Sequence, residues 1–449
     1  WIACQPCACL PVNLLDHAAT KQASRASFGT EGGVCDIKAL YGVRLMETNT
    51  PSTPEPGTKI ALGRWPTSLR VRLALFYATT FFVIGIYMPF WPAWLSSNGL
   101  GPTEIGILLS ITTWTRVIAA PLVAQAAERL GRHKPFLIGL AFMTLASFSL
   151  YTQASNFFSF AVISFLLGCS FPPMMPLAET TTLSVAQDRG FDYGRIRLWG
   201  SLTFVAASWG GGLWLAERTE GAVVPLVLIG CVSIVFSCLL LPDVRMSRPT
   251  TAHAPIRRLL TSPIFILFLA SAGLIQGSHA AFYGFSTIHW QAAGLSESAI
   301  GLLWAEGVAA EVLLFAFSGV VVQRMGVTGL LLIGASAAAI RWTATGFFTD
   351  FVTLAIVQVL HGLTFGATHL ASLHFIQRAV PSDSAATAQA LYSALGLGVA
   401  SALMMTAAGN LYENYQGVAF FAMAIAATIG GLCALVLRRY WSGGQLGKS

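Results

Sequence analysis

Apolar residues in this chain neither alternate with period two nor keep to one helical stripe. They run on for about 18 residues or more with almost no charge, the length a helix needs to cross hydrocarbon, and then break at short polar turns marked by Gly, Pro or Asn. A sliding window of about 19 residues predicts twelve such helices, over 72–95, 104–127, 135–153, 157–186, 196–216, 222–241, 263–291, 298–322, 327–348, 351–379, 385–409 and 414–438. The longest polar connection, 242–262, carries Arg245, Arg248, Arg257 and Arg258 and divides the spans six and six. The pattern predicts an all-α integral membrane protein with twelve transmembrane helices in two six-helix bundles. One bundle covers 67–241 and the other 263–440, joined by the loop 242–262, with a tail over 441–449.

Composition narrows the class. Hydrophobic residues make up 55% and charged residues only 10%, with a mean hydropathy of +0.67, whereas a soluble domain carries about 25% charged residues. A soluble enzyme, a disordered chain and a disulfide-stapled module are excluded. Of the 26 Lys and Arg, those that flank spans fall on one side, except Arg218. That basic side is expected to be cytoplasmic, with both termini inside, in a multi-pass protein of the bacterial inner membrane. The formal charge of +7 then faces anionic headgroups and gives no reason to expect nucleic acid.

The first Met is Met46, so 1–66 is expected to be a disordered or non-native extension, with the functional start near Met46. The Cys4, Cys7, Cys9 cluster has no fourth ligand at metal spacing, and no metal or cofactor is expected. Cys169, Cys231, Cys238 and Cys433 sit in apolar runs and count as small hydrophobes. No phosphate-binding Gly loop, His-Glu-x-x-His or Gly-x-Ser-x-Gly motif is present, so no enzymatic chemistry is expected.

The halves repeat each other. Tyr87, Trp94, Gly99, Leu100, Ile105, Gly106 and Leu108 return as Tyr283, Trp290, Gly294, Leu295, Ile300, Gly301 and Leu303. Ala124-x-x-x-Glu128-Arg129-Leu130-Gly131 returns as Gly319-x-x-x-Gln323-Arg324-Met325-Gly326, 195 residues later, where the first motif is offset by 196 and then 195. Two motifs at one offset argue for duplicated halves, an arrangement typical of alternating-access transporters.

The twelve-span layout and the loop Glu128-Arg129-Leu130-Gly131-Arg132-His133-Lys134 resemble the major facilitator superfamily and its Gly-x-x-x-Asp-Arg-x-Gly-Arg-Lys motif, with Ala124 at the first Gly and Glu128 at the Asp. Asp192-Tyr193-Gly194-Arg195-Ile196-Arg197-Leu198-Trp199-Gly200-Ser201, Ala281-Phe282-Tyr283-Gly284-Phe285-Ser286, Trp290-Gln291-Ala292-Ala293-Gly294 and Ala310-Glu311-Val312 look like the 3-phenylpropionate permease group within it, over about residues 68–440. The resemblance implies a secondary active transporter that imports a small aromatic carboxylate with protons, and a gating role for Glu128, Arg129 and Arg132; a monomer is expected. Sugar and nucleoside proton symporters are similar too. A non-transporting sensor with this fold is the alternative from another class.

Ionisable groups inside spans cost at least about 2.5 kcal/mol on insertion scales and usually face a cavity or a partner. Gln276, His279, Tyr283, Thr287 and Trp290 fall within about 80° of arc on helix seven, and the repeat places Thr80, Val83, Tyr87, Trp91 and Trp94 on helix one. The stripes suit either a cavity for an aromatic ligand, with Tyr87, Gln276, His279 and Tyr283 as contacts, or a packing seam. Trp94 and Trp290 are expected in the interfacial belt. Glu311, His361 and His369 are the candidates for proton coupling. Glu179, beyond Pro172, Pro173 and Pro176, joins them and is expected to pair with Arg195 or Arg197. Glu306 is a candidate partner for Arg341. Arg116 has no mid-span acid on helix two or on helices one and three and so is expected to lack a permanent partner; it either binds the substrate carboxylate through its fork or caps carbonyls at the broken helix four.

Overall fold

In hydrocarbon an unpaired backbone N–H or C=O costs several kcal/mol, and a helix pairs all of them within its own segment. Among the described residues every regular element is accordingly helical. The computed structural model describes residues 66–244 and 256–446. The expected start near Met46, the cluster Cys4, Cys7 and Cys9, and the loop residues Arg245 and Arg248 lie outside the described residues.

The long helices are α1 Pro66–Ser97, α2 Pro102–Leu130, α3 Lys134–Gln153, α4 Phe157–Arg189, α5 Tyr193–Leu215, α6 Glu220–Leu240, α7 Pro263–Ala292, α8 Glu297–Ala316, α9 Ser318–Phe347, α10 Phe351–Ala379, α11 Ser382–Tyr415 and α12 Val418–Tyr440. Eleven are long and apolar enough to cross a membrane. The exception is α5, diluted by Gly210, Gly211 and Gly212 and by Trp199, Trp209 and Trp214. Residues from Ser68 onward pack as one compact unit.

One boundary differs from expectation. The span expected over 298–322 ends at Ala316; the chain turns at Phe317 and again at Gly326, whose φ of 65° and ψ of 174° break α9 near its start. Val320, Val321 and Val322 carry the apolar run across that turn, which hydropathy therefore cannot see. The repeat reaches the backbone: Gly99 and Gly294 have φ of 84° and 89°, and Gly131 and Gly326 have φ of 69° and 65°. Both pairs occupy the left-handed region that only Gly enters freely.

Helices in lipid associate through close backbone approach rather than by hiding apolar surface from water, and here two seams join the halves on the side opposite the basic residues. In the α2–α11 seam a Cβ on Gly106 would lie 2.9 Å from the Gly409 Cα, and one on Gly409 would lie 2.7 Å from Pro102 O. In the α5–α8 seam a Cβ on Gly212 would overlap Glu297 O and one on Gly301 would overlap Ser208 O. Gly106 and Gly301 are repeat mates. Glu413 of α11 also accepts a hydrogen bond from Thr103 N at 3.0 Å, capping the first turn of α2 from the other half. Gly106→Leu and Gly301→Leu are each expected to separate a seam, and labelling of a cysteine placed at Ser401 by an impermeant maleimide from that side measures it. Labelling unchanged from the parent protein contradicts the seam's role.

Candidate functional site

Between the halves lies a cavity of about 120 Å³, walled by Tyr87, Met88 and Pro92 of α1, Thr112, Thr113 and Arg116 of α2, Phe171 of α4, Gln276 and Tyr283 of α7, Phe365 of α10, and Leu397, Ser401 and Met405 of α11, among others. Pro89 and Pro92 inside α1, and Pro172, Pro173 and Pro176 inside α4, remove N–H groups from their ladders. Among the described residues Arg116 is the one charged side chain on the wall. It donates Nη2–H to Leu397 O at 3.2 Å, so the expectation that it lacks a permanent partner is corrected. The acceptor was hidden in sequence because it is a backbone carbonyl within the π-helical stretch Tyr392–Val399 of α11. A guanidinium carries five N–H donors, and holding one carbonyl is compatible with gripping a carboxylate.

The helix-seven stripe divides. α7 breaks into Pro263–Gly277 and Ala280–Ala292, and this break leaves Gln276 and Tyr283 on the cavity wall but turns His279 behind it. His279 is fully buried; its Nδ1 lies 3.2 Å and 3.1 Å from the carbonyls of Ile275 and Gln276, and its Nε2 lies 3.0 Å from Thr364 Oγ1. Carbonyls only accept, so the proton sits on Nδ1 and Nε2 accepts from Thr364. His279 is not a cavity residue. Trp94 and Trp290 do not turn their rings out to the headgroups: both are buried, with Trp94 tilted 4.4 Å from Trp91 and Trp290 6.0 Å from Phe282.

Behind the cavity in the second half lies a buried polar cluster. Arg341 of α9 donates to Gln358 Oε1, to His361 Nδ1 at 2.9 Å and to Thr364 Oγ1 at 3.3 Å. Its guanidinium carbon lies 4.4 Å over Phe282 and 4.6 Å over Trp342, cation–π contacts worth about 2 kcal/mol when desolvated. Neither Glu306 nor Glu311 pairs with it. Glu306 is only partly buried, and Glu311 lies 3.7 Å from the other side of the His361 ring, Oε2 to Nε2. The expected Glu306–Arg341 pair is therefore replaced by an amide, an imidazole, a hydroxyl and two rings. A guanidinium N–H cannot accept, so His361 accepts at Nδ1 and aims its N–H from Nε2 toward Glu311. Close approach of α8 and α10 makes this possible: a Cβ on Gly362 would lie 2.8 Å from Ala310 O. His369, one turn beyond Phe365 and two beyond His361, just past the π-helical stretch Gly362–Ala367, lies 3.5 Å from the Tyr392 hydroxyl.

The profile of the MFS_1-like family matches residues 70–423. A probable 3-phenylpropionic acid transporter of Escherichia coli (strain K12) is 35% identical over 79% of this chain and 94% of its own length. The chain belongs to the MFS_1-like family. The maltose permease of Geobacillus stearothermophilus is 28% identical over 81% of this chain and 93% of that protein. Among solved structures, the nucleoside transporter NupG superposes with a TM-score of 0.71 at 16% identity, over 83% of this chain and 100% of that one. This MFS_1-like protein is a multi-pass membrane transporter of the secondary type, acting on a small molecule, and not an enzyme.

On the basic side of the MFS_1-like bundle the two partners expected for Glu179 divide, Arg197 meeting it and Arg195 turning away. Glu179 is buried and lies 4.0 Å from Arg197 Nε, while Arg197 sits 4.1 Å over the Phe81 ring. Arg195 is turned out to Asp192 at 3.4 Å, the residue that caps α5; two positions along a helix places it about 200° away from Arg197. Arg132 forms an ion pair with Asp243 beyond the end of α6, whereas Glu128 and Arg129 are exposed and make no ion pair among the described residues. The Asp243 partner was missed because a lone acid just past an apolar run carries no periodic signal. His133 Nδ1 lies 3.0 Å from Thr181 Oγ1 of α4, and burial pushes this histidine below its ordinary pKa. Thr112, Thr113, Ser401 and Gln358 were also missed, since hydroxyl and amide side chains are common in membrane helices as lattice fillers.

Proposed function

We propose that this transporter takes up a small aromatic carboxylate such as 3-phenylpropionate together with a proton, across a bacterial inner membrane with the basic side cytoplasmic. The observation that carries the reading is the cavity wall: one guanidinium among the rings of Tyr87, Phe171, Tyr283 and Phe365. Arg116 supplies the planar fork that matches a carboxylate; the rings supply apolar and edge-to-face contacts for an aryl group. Glu311 is the proton carrier, with His361 oriented toward it by Arg341. Glu179 with Arg197 and Arg132 with Asp243 act as pairs that hold the basic side and reorganise as it opens. The probable 3-phenylpropionic acid transporter among the relatives supports the same substrate class.

Hydroxyl and amide groups on the wall, Thr112, Thr113, Ser401 and Gln276, together with the maltose permease relative, favour a sugar as the second reading. Purified protein in vesicles, with the outside acidified, is expected to accumulate labelled 3-phenylpropionate and to leave maltose and uridine at equilibrium. Accumulation of maltose or uridine with none of the acid refutes the assignment; uptake indifferent to the pH gradient refutes the coupling.

A further inference from the structure

Phe365 stands between the cavity and the buried cluster. Phe365 lines the cavity, whereas His361, His369 and Glu311 do not. Along α10 the residues 361, 365 and 369 share a face, and their rings stack: Phe365 is 5.7 Å from His361 with planes 19° apart, and 6.2 Å from His369 with planes 14° apart. Other titratable groups close around the same ring. His279 of α7 meets it edge-on at 5.9 Å, Arg341 of α9 holds Nδ1 of His361, and Glu311 of α8 lies 3.7 Å from Nε2 of the same ring with Oε2 lacking a hydrogen-bond partner. The Phe365 carbonyl accepts from the Gln276 amide, itself a cavity residue, at 3.3 Å. Phe365 also lies within the π-helical stretch Gly362–Ala367, a local distortion frequent at functional sites because its register can shift without unwinding the helix.

We propose that Phe365 is the gate that couples substrate occupancy to proton access, a role that rests on the proton-coupled reading above. With the cavity empty, the ring covers the His361–Glu311 pair and keeps water from it. An aryl group packed against Phe365 displaces the ring along the histidine stack, water enters, and a proton passes from the cavity to the Glu311 carboxylate, leaving it neutral. Phe365 neither carries the proton nor bonds to Glu311, so it is a positioning residue.

The test is proton flux in vesicles loaded with a pH-sensitive dye, with 3-phenylpropionate added or omitted. Wild type should acidify internally only when substrate is present. Phe365→Ala should acidify without substrate and lose accumulation. Phe365→Tyr, which restores a ring, should recover wild-type tightness, and Glu311→Gln combined with Phe365→Ala should abolish the leak. Phe365→Leu serves if the Ala variant does not purify as folded protein. A tight, fully accumulating Ala or Leu variant beside a wild type that moves protons with substrate overturns the gate alone. A wild type that moves no protons with substrate overturns the proton-coupled reading, and the gate with it.

Discussion

Glu311→Gln is expected to abolish accumulation of the substrate while leaving exchange intact. Co-transport of a carboxylate with one proton is electroneutral, so only the pH gradient drives it, and one pH unit, about 1.4 kcal/mol, sustains about a tenfold concentration ratio. The Gln side chain keeps the volume and an acceptor for the His361 N–H but has no site for the proton, so the ratio should fall to one at any imposed gradient. Exchange needs the cavity to alternate between the two sides without a change of proton occupancy, and a permanently neutral residue permits that. Its surroundings favour this outcome: Glu311 is buried, its Oε2 has no hydrogen-bond partner, and Gly366 lets α10 approach its Cγ to the point where a Cβ would lie 3.5 Å away. His361→Asn should weaken accumulation less, since it removes the oriented N–H but not the carboxylate. The measurement is labelled-substrate accumulation against external pH, beside counterflow in the same vesicles. A tenfold ratio retained in Glu311→Gln contradicts the assignment.

What was legible in the sequence follows from what hydrocarbon selects. Lipid demands length and apolarity, so the long helices could be read from hydropathy, and even α5, the one too diluted to count as a span by length and composition, was read over 196–216 by the same window. Backbone conformations with one permissible residue could be read too, which is why Gly99 and Gly294 mark matching turns. Side-chain partners were less legible, because they depend on helix rotation, and three local distortions alter it. The break at Ser278 removes His279 from a face that 100° per residue would give it. The π-helical stretches at Gly362–Ala367 and Tyr392–Val399 shift everything that follows by part of a turn. Arg341 shows the difficulty even ahead of such a distortion: an acid was expected on α8, yet Gln358 and His361 on α10 fill its coordination. A buried guanidinium needs acceptors, and sequence states the need without naming the helix that meets it.

Arg116→Lys should separate carboxylate recognition from bracing of the helix. Lysine keeps the charge at nearly the same reach but presents a point donor rather than a planar fork. If Arg116 grips the substrate carboxylate, the variant loses one charge-assisted hydrogen bond to the acid, about 1.5–3 kcal/mol, or roughly 10- to 100-fold in affinity. The uncharged amide of the same acid makes no such bond and should bind the variant and the wild type within a few-fold of each other. The Leu397 carbonyl supplies the competing explanation, since its 3.2 Å contact ties α2 to the π-helical part of α11. Loss of that brace would deform the cavity for every ligand alike. Equilibrium binding of 3-phenylpropionate and 3-phenylpropanamide to detergent-purified protein therefore decides between them. A selective loss for the acid assigns the carboxylate to Arg116. An equal loss for both assigns Arg116 to the α2–α11 contact and moves the substrate toward the hydroxyl-rich neutral class that Thr112, Thr113, Ser401 and Gln276 would hold.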